Sequence, residues 1–374
     1  MRALFLTKAL LVMLLLANTT AWGKTVTDLL GRQVTIPNNP SRLFLGESRL
    51  LHTLALLEPG NPAQRVVGWP GDMARYDAQS WEKYTTAFPT IAQIPRLGDG
   101  GPHTLNAEAI LPLKPDLVIL PRLAKTSVED DALQQTLERA GIPVIYVDLR
   151  VELLKNTLPS VRLLGEVLNR TESATAFSAF YQQHMDTISQ RLARYHGQKP
   201  TVMLHLHLGR RDTCCITAVG GNLGELLRFA GGDNIAADSI QRVYGELNPE
   251  KVLAANPDVY IATGMAGPEG KRFSALMLGP DVSEQQAQNS FTTLLQQEPI
   301  LSHLNAVQQG RAWSMWHNFY LSPYHVVMVE MFAKALYPDL FADLQPQDTL
   351  KQLYQQFLPI EFSGTFWSHI AHER

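Results

Sequence analysis

Cysteine is nearly missing from these 374 residues: there are two, Cys214 and Cys215, and they are neighbours in the chain. A disulfide framework and a zinc site made of cysteine alone are both excluded, because each needs further partners. The pair has two states open to it, a strained vicinal disulfide or buried free thiols. A basic excess is also missing. The formal net charge is −3, so no positive field recruits nucleic acid. No G-x-S-x-G and no H-E-x-x-H occurs, which speaks against a hydrolase and for a protein that is not an enzyme. "GGNLG" at Gly220 lacks the Lys-Ser/Thr of a phosphate loop and the spacing of a dinucleotide fingerprint, so it reads as a helix entry and no cofactor is implied. Low-complexity tracts are absent, and 45% hydrophobic with 18% charged residues is ordinary globular composition.

Long apolar runs are absent everywhere except at the start. "MRALFLTKALLVMLLLANTTAWG" carries Arg2 and Lys8, then an apolar run from Ala9 to Ala17, then small residues. That run is short of the roughly 20 residues a spanning helix needs. It predicts a cleaved signal peptide over residues 1–23, with cleavage after Gly23, after Ala21 as the competing point and an uncleaved anchor as the minor reading, and hence export into an oxidising compartment.

The remaining length suits two domains better than one. From Arg42 onward, short β-rich runs alternate with helical ones. "RLFLG", "RVVGW", "DLVILP" and "IPVIYVD" read as strands, and the last two are apolar at nearly every position. Such runs belong to strands covered on both faces, as in a parallel sheet packed between helices. "TESATAFSAFYQQHMDTISQRLARYHG" places Phe177, Phe180, Tyr181, Met185, Ile188, Leu192 and Tyr195 at three- and four-residue steps. The stripe predicts one helix over 171–196, about 39 Å long and able to run beside two lobes. The α/β pattern then restarts with "TVMLHLHLG", "PDVYIATG" and "RAWSMWH". The expected fold class is therefore α/β: two lobes, each with a mostly parallel central sheet, joined by a long rigid helix, with a ligand cleft between them. The expected division is a first lobe over 24–155, a helical connection over 156–198, a second lobe over 199–338 and an extension over 339–374 packed on the second lobe.

One phrase occurs twice. "LNAEAILPLKPDLVIL" begins at Leu105 and "LNPEKVLAANPDVYIA" at Leu247, with seven of sixteen positions identical. In each, the asparagine is placed to cap a short helix, the glutamate lies in its first turn, and Pro-Asp turns the chain into a buried strand. Glu108 and Glu250 thus occupy equivalent places on two similar lobes. Two carboxylates at a fixed separation suit docking on two arginines of a partner.

Taken with "TDLLGRQVTIP" and the two-lobe plan, these units resemble the helix-backbone (class III) periplasmic substrate-binding proteins of ABC importers, the iron-siderophore and cobalamin type. "RRDTCCITAVGGNLGELLRFAGGDNIA" and "MWHNFYLSPYHVV" resemble a branch that includes a molybdate/tungstate-binding member. The resemblance implies a periplasmic monomer that delivers its ligand to an inner-membrane ABC permease, with Glu108 and Glu250 as the permease-docking residues.

In such folds the ligand sits at the C-terminal ends of the strands. The loops there supply Arg49, Trp69, Arg75, Tyr76, Arg122, His207, Arg210, Arg211, Trp316, His317 and Tyr320 as candidate ligand-binding residues. Arginines recur at these loops although the chain is net acidic. Guanidinium groups grip anionic oxygens, and the rings beside them offer flat apolar surface. The combination suits an iron chelate, a ferric siderophore of the catecholate kind; haem, cobalamin and molybdate are the alternatives. His205 and His207 share a strand face but have no third histidine near them, so no metal site is expected.

Overall fold

The computed structural model describes residues 23–99, 105–124, 128–210, 214–266 and 276–370. Residues 1–22 of the expected signal peptide (1–23) and the candidate Arg211 lie outside them. The described chain opens with an antiparallel pair, β1 (Gly23–Thr27) and β2 (Gln33–Pro37).

The first lobe is built on β3 (Leu43–Leu45), β4 (Val66–Gly68), β5 (Leu117–Pro121) and β6 (Val144–Val147). They form one parallel sheet in the order β4-β3-β5-β6. Every residue of β3 and β6 is buried, as expected for strands covered on both faces. The second lobe carries β7 (Thr201–His205), β8 (Ile216–Ala218), β9 (Asp233–Asn234), β10 (Tyr244–Glu246), β11 (Val259–Gly264), β12 (Ala312–Trp316) and β13 (Trp367–Ile370). Its main sheet runs β13-β12-β11-β7-β9, while β8 and β10 pair separately. Apart from β13, this sheet is parallel and repeats the first lobe's order: second strand, first, third, fourth. β13 comes from the C-terminal segment and lies antiparallel on β12.

The repeated phrase takes the third-strand position in both sheets, and its asparagines and aspartates do corresponding work. Asn106 accepts a hydrogen bond from Ala109 N at 2.8 Å, and Asn248 accepts one from Glu250 N at 2.8 Å. Each short helix unit then ends in a left-handed residue, Lys114 or Asn256. The aspartates hold the start of the neighbouring first strand. Asp116 accepts from Ser41 N at 2.8 Å and Arg42 N at 3.0 Å; Asp258 accepts from Thr201 N at 2.9 Å. Capping and strand alignment thus account for the asparagine and aspartate of the phrase.

Two helices, Leu153–Leu168 and Thr171–Ala193, join the lobes. The second is shorter than the 171–196 expected, because the chain leaves the helix at Arg194, and Tyr195 turns instead onto Tyr337, 4.9 Å between rings. Phe177, Phe180, Tyr181, Met185 and Ile188 are buried along its stripe. It packs against helix Leu51–Leu57 of the first lobe and helix His325–Leu336 of the second. Tyr181 Oη and His325 Nε2 are 2.8 Å apart, and His184 Nδ1 is 2.6 Å from the buried carboxylate of Glu330. The lobes also touch directly. Tyr324 Oη donates to His52 O at 3.0 Å, Gln79 Nε2 to Pro280 O at 2.7 Å, and Asn318 Nδ2 to Tyr76 O at 3.1 Å.

Candidate functional site

The C-terminal ends of β3, β6, β7 and β12 converge between the lobes, and each delivers a cationic or aromatic side chain. After β3 the chain makes a tight helical turn, Ser48–Leu50, whose first residue is fixed by Asp72. Ser48 donates both its N–H (2.8 Å) and its hydroxyl (2.6 Å) to Asp72 Oδ1. Arg49 follows, only 6% exposed, with Nε 2.8 Å from Asp72 Oδ2 and Nη2 3.1 Å from Glu47 Oε1. Its guanidinium carbon stands 5.7 Å from the Tyr76 ring. After β6 comes Arg150, whose Nη1 is 3.4 Å from the other side of the network, Glu47 Oε1. The Nε of Arg150 is buried and has no hydrogen-bond partner, while the side chain as a whole is 26% exposed.

These charges settle one another. Burial opposes ionisation of Glu47, but Arg150 and Arg49 outweigh it and hold its pKa below the ordinary value. Burial wins at Asp72, which is pushed up despite Arg49. Burial disfavours the charged form of Arg150, yet Glu47 and the Tyr320 hydroxyl raise its pKa, so the guanidinium stays cationic.

The second lobe answers with rings. His207 and His317 lie with centroids 3.7 Å apart and planes tilted by 42°. Tyr320 stands edge-on to His317 at 5.0 Å. His317 Nδ1 is 2.9 Å from Thr263 Oγ1, which fixes the ring at the end of β11. Burial lowers the pKa of His317 well below its ordinary value, and His207, Arg210, Arg49 and Arg150 lower it further. A histidine that feels arginines of both lobes lies where those lobes meet. The shared strand face expected for His205 and His207 is not formed: β7 ends at His205, which is buried against Tyr260 and brought to about 4 by burial, while His207 follows in a turn at φ +54°. The arrangement therefore combines permanent guanidinium charge with uncharged imidazole and phenol faces, a surface for an anionic ligand with flat parts.

Not every candidate residue reaches this cluster. Arg49, Tyr76, His207, Arg210, His317 and Tyr320 are brought together. Arg75 is 51% exposed at its side chain, 3.4 Å from Asp99, and reaches the cluster only through the ring of Tyr76 at 5.1 Å. Arg122 is held by Asp148 and Glu152. Trp69 is fully buried, edge-on to Trp81 at 6.0 Å, and Trp316 is buried between Phe319 and Phe366. Their indole N–H groups lack partners. The residue that reading by strand ends missed is Arg150. It follows "IPVIYVDL", and the rule that selected Arg49 selects it equally well. Tyr244, close enough to influence Arg150, had no such signal, since it sits in the short β10 strand.

Cys214 and Cys215 are joined as a vicinal disulfide, buried beside His205. The glycine-rich helix entry faces the other lobe: Asn222 donates its N–H to Val151 O at 3.1 Å and its Nδ2 to Arg150 O at 2.8 Å. Gly221, at φ +64°, permits that approach, because a Cβ there would meet Val151 O at 3.0 Å. Glu108 and Glu250 are exposed, and no hydrogen bond or ion pair of either carboxylate is found among the described residues. No helix among the described residues is long and apolar enough to cross a membrane.

Comparison with known proteins gives a consistent picture. The profile of a family described as periplasmic binding protein matches residues 72–315. The molybdate-binding protein MolA of Haemophilus influenzae is 23% identical over 374 aligned residues, covering 94% of this chain and 96% of that protein. A cobalamin-binding protein of Halobacterium salinarum is 25% identical over 201 residues, 53% of this chain and about half (51%) of its own length. Among solved structures, the TroA-like periplasmic binding protein FepB from Veillonella parvula superposes with a TM-score of 0.85 at 29% identity, over 93% of this chain and 99% of that one.

Proposed function

The chain belongs to the periplasmic binding protein family, and from that membership we propose that its ligand is a ferric siderophore of the catecholate kind. As a family member it is a solute-binding protein rather than an enzyme, periplasmic, and a component of an ABC importer to which it delivers a small molecule.

The observation that carries the ligand proposal is the shape of the charge between the lobes. Arg49 and Arg150 come from the first lobe and Arg210 from the second, and the close, tilted His207–His317 pair with Tyr76 and Tyr320 lies among them. A small oxyanion needs the hydrogen-bond donors but not the rings. A catecholate chelate is anionic at its rim and flat on its faces, and uses both. The molybdate-binding name of the Haemophilus influenzae relative, which aligns over nearly the whole chain, makes a simple oxyanion the second reading.

Glu108 and Glu250 fit the permease end of the proposal. They are exposed, they occupy equivalent first-turn positions in the two lobes, and the capping and strand contacts that account for their neighbours do not use their carboxylates.

Intrinsic tryptophan quenching against a ferric catecholate, haem, cobalamin and molybdate, at matched salt, separates the readings. Saturable quenching by the ferric catecholate at the lowest concentration supports the proposal. Protection of the protein by molybdate alone, seen as a raised melting temperature without chelate quenching, favours the oxyanion.

A further inference from the structure

The second lobe holds a cluster that the cleft does not use. An imidazole nitrogen of His205 and the Sγ atoms of Cys214 and Cys215 lie within 4.8 Å of one another, and all three residues are buried. Backbone pairing fixes where they stand. His205 ends β7, Leu206 N donates to Ile216 O at 2.7 Å beside the cysteines, and Leu247 N donates to Cys215 O at 3.1 Å. A second observation points to a ligand. His205 Nδ1 is 2.8 Å from Tyr260 Oη, and the two rings meet edge-on at 6.1 Å. Metal-binding imidazoles are oriented in this way by a partner on one nitrogen, which leaves the other for the ion.

We propose that the reduced chain holds a thiophilic divalent cation of the zinc class between Cys214, Cys215 and His205, so that the adjacent cysteines form a redox-gated metal site. The structure shows the closed state, with the sulfurs bonded to each other. A dithiol reductant opens it. Its thiolate attacks one sulfur, its second thiol resolves the mixed disulfide, and the reductant leaves as a disulfide while Cys214 and Cys215 become thiols. The cation then displaces both thiol protons and bonds two Sγ atoms and the free imidazole nitrogen. Two thiolates and a neutral ring cancel a charge of +2, so the buried complex carries no net charge. A monovalent ion would leave a buried anion, and burying net charge is costly. Soft sulfur donors exclude the hard cations that prefer oxygen.

The test is a titration with Zn(II) against a chromophoric chelator, run anaerobically on the full chain in its reduced and oxidised forms. One zinc per reduced chain and none per oxidised chain is the expected result. Cys215→Ser should abolish binding, His205→Ala should weaken it at least tenfold, and Tyr260→Phe should weaken it about tenfold, an effect that a packing role alone does not give. If Cys215→Ser does not fold, His205→Gln and Tyr260→Phe carry the test. Absence of zinc on the reduced chain, equal binding by both forms, or undiminished affinity in the His205 variant would each overturn the proposal.

Discussion

The two lobes share a strand order and a helix–turn–strand phrase, yet they meet the cleft with opposite chemistry. The first lobe brings full charges that neutralise one another: Arg49 and Arg150 against Glu47 and Asp72. The second brings mainly rings, those of His317, His207 and Tyr320, beside the guanidinium of Arg210, and burial keeps His317 uncharged. The shared phrase builds the scaffold, through its asparagine caps and its aspartate clamps, and the strand ends beyond it are free to differ. Repetition in the sequence thus marks structure, and departure from repetition marks the residues proposed to bind the ligand.

The contrast predicts different failures. The first lobe should break when a charge is orphaned. Asp72→Ala strips Ser48 and Arg49 of their shared acceptor and leaves a buried guanidinium with Glu47 alone. Urea unfolding should show a loss of about 3 kcal/mol, and Asp72→Asn, which keeps the Ser48 hydrogen bonds, should lose less. A loss below 1 kcal/mol would mean the network is not a structural unit.

The second lobe should break with acid. Its buried histidines have folded pKa values below the unfolded 6.5: about 4 for His205 and for His325, and well below for His317. The unfolded chain therefore binds more protons in this window. Stability is complete above pH 6.5 and is lost as pH falls toward 4, on the order of 3 kcal/mol for each of His205 and His325. Replacing His205 by Gln should flatten that part of the profile in a melting series; an unchanged acid slope would contradict the assignment.

Where the lobes are alike, they should respond alike. Asn106→Ala and Asn248→Ala each remove one helix cap, and each should cost about 1 kcal/mol in chemical unfolding. A cap that proves silent in one lobe would show that the repeated phrase is not equivalent in the two. The smallest effect on ligand affinity belongs to the exposed glutamates. Glu108→Lys and Glu250→Lys should leave affinity within twofold while abolishing uptake into cells; loss of affinity would place them in the pocket instead.

Much of this was readable beforehand, and the reasons are physical. Unbroken apolar runs such as "DLVIL" announced buried parallel strands, and the stripe from Phe177 to Ile188 announced the connecting helix. The strand-end rule picked out Arg49, His207 and His317, which the fold brings together, because topology alone fixes where strands point. Its reach ended at side-chain direction. Nothing in the sequence distinguishes Arg122, held by Asp148 and Glu152, from Arg150, which faces the other lobe. Nor does the sequence show that Trp69 and Trp316 are turned into the core, or that β13 extends the second sheet, since short strands carry almost no periodic signal.

The pair Arg150 and Arg122 gives the most direct test of the central claim, that guanidinium groups at the meeting of the lobes grip an anionic ligand. Calorimetric titration of a ferric catecholate into the wild type, Arg150→Met and Arg122→Met should show Arg150→Met at least tenfold weaker, as expected for a lost charge-assisted contact, and Arg122→Met within threefold of the wild type. Equal affinity of the wild type and Arg150→Met would contradict the account.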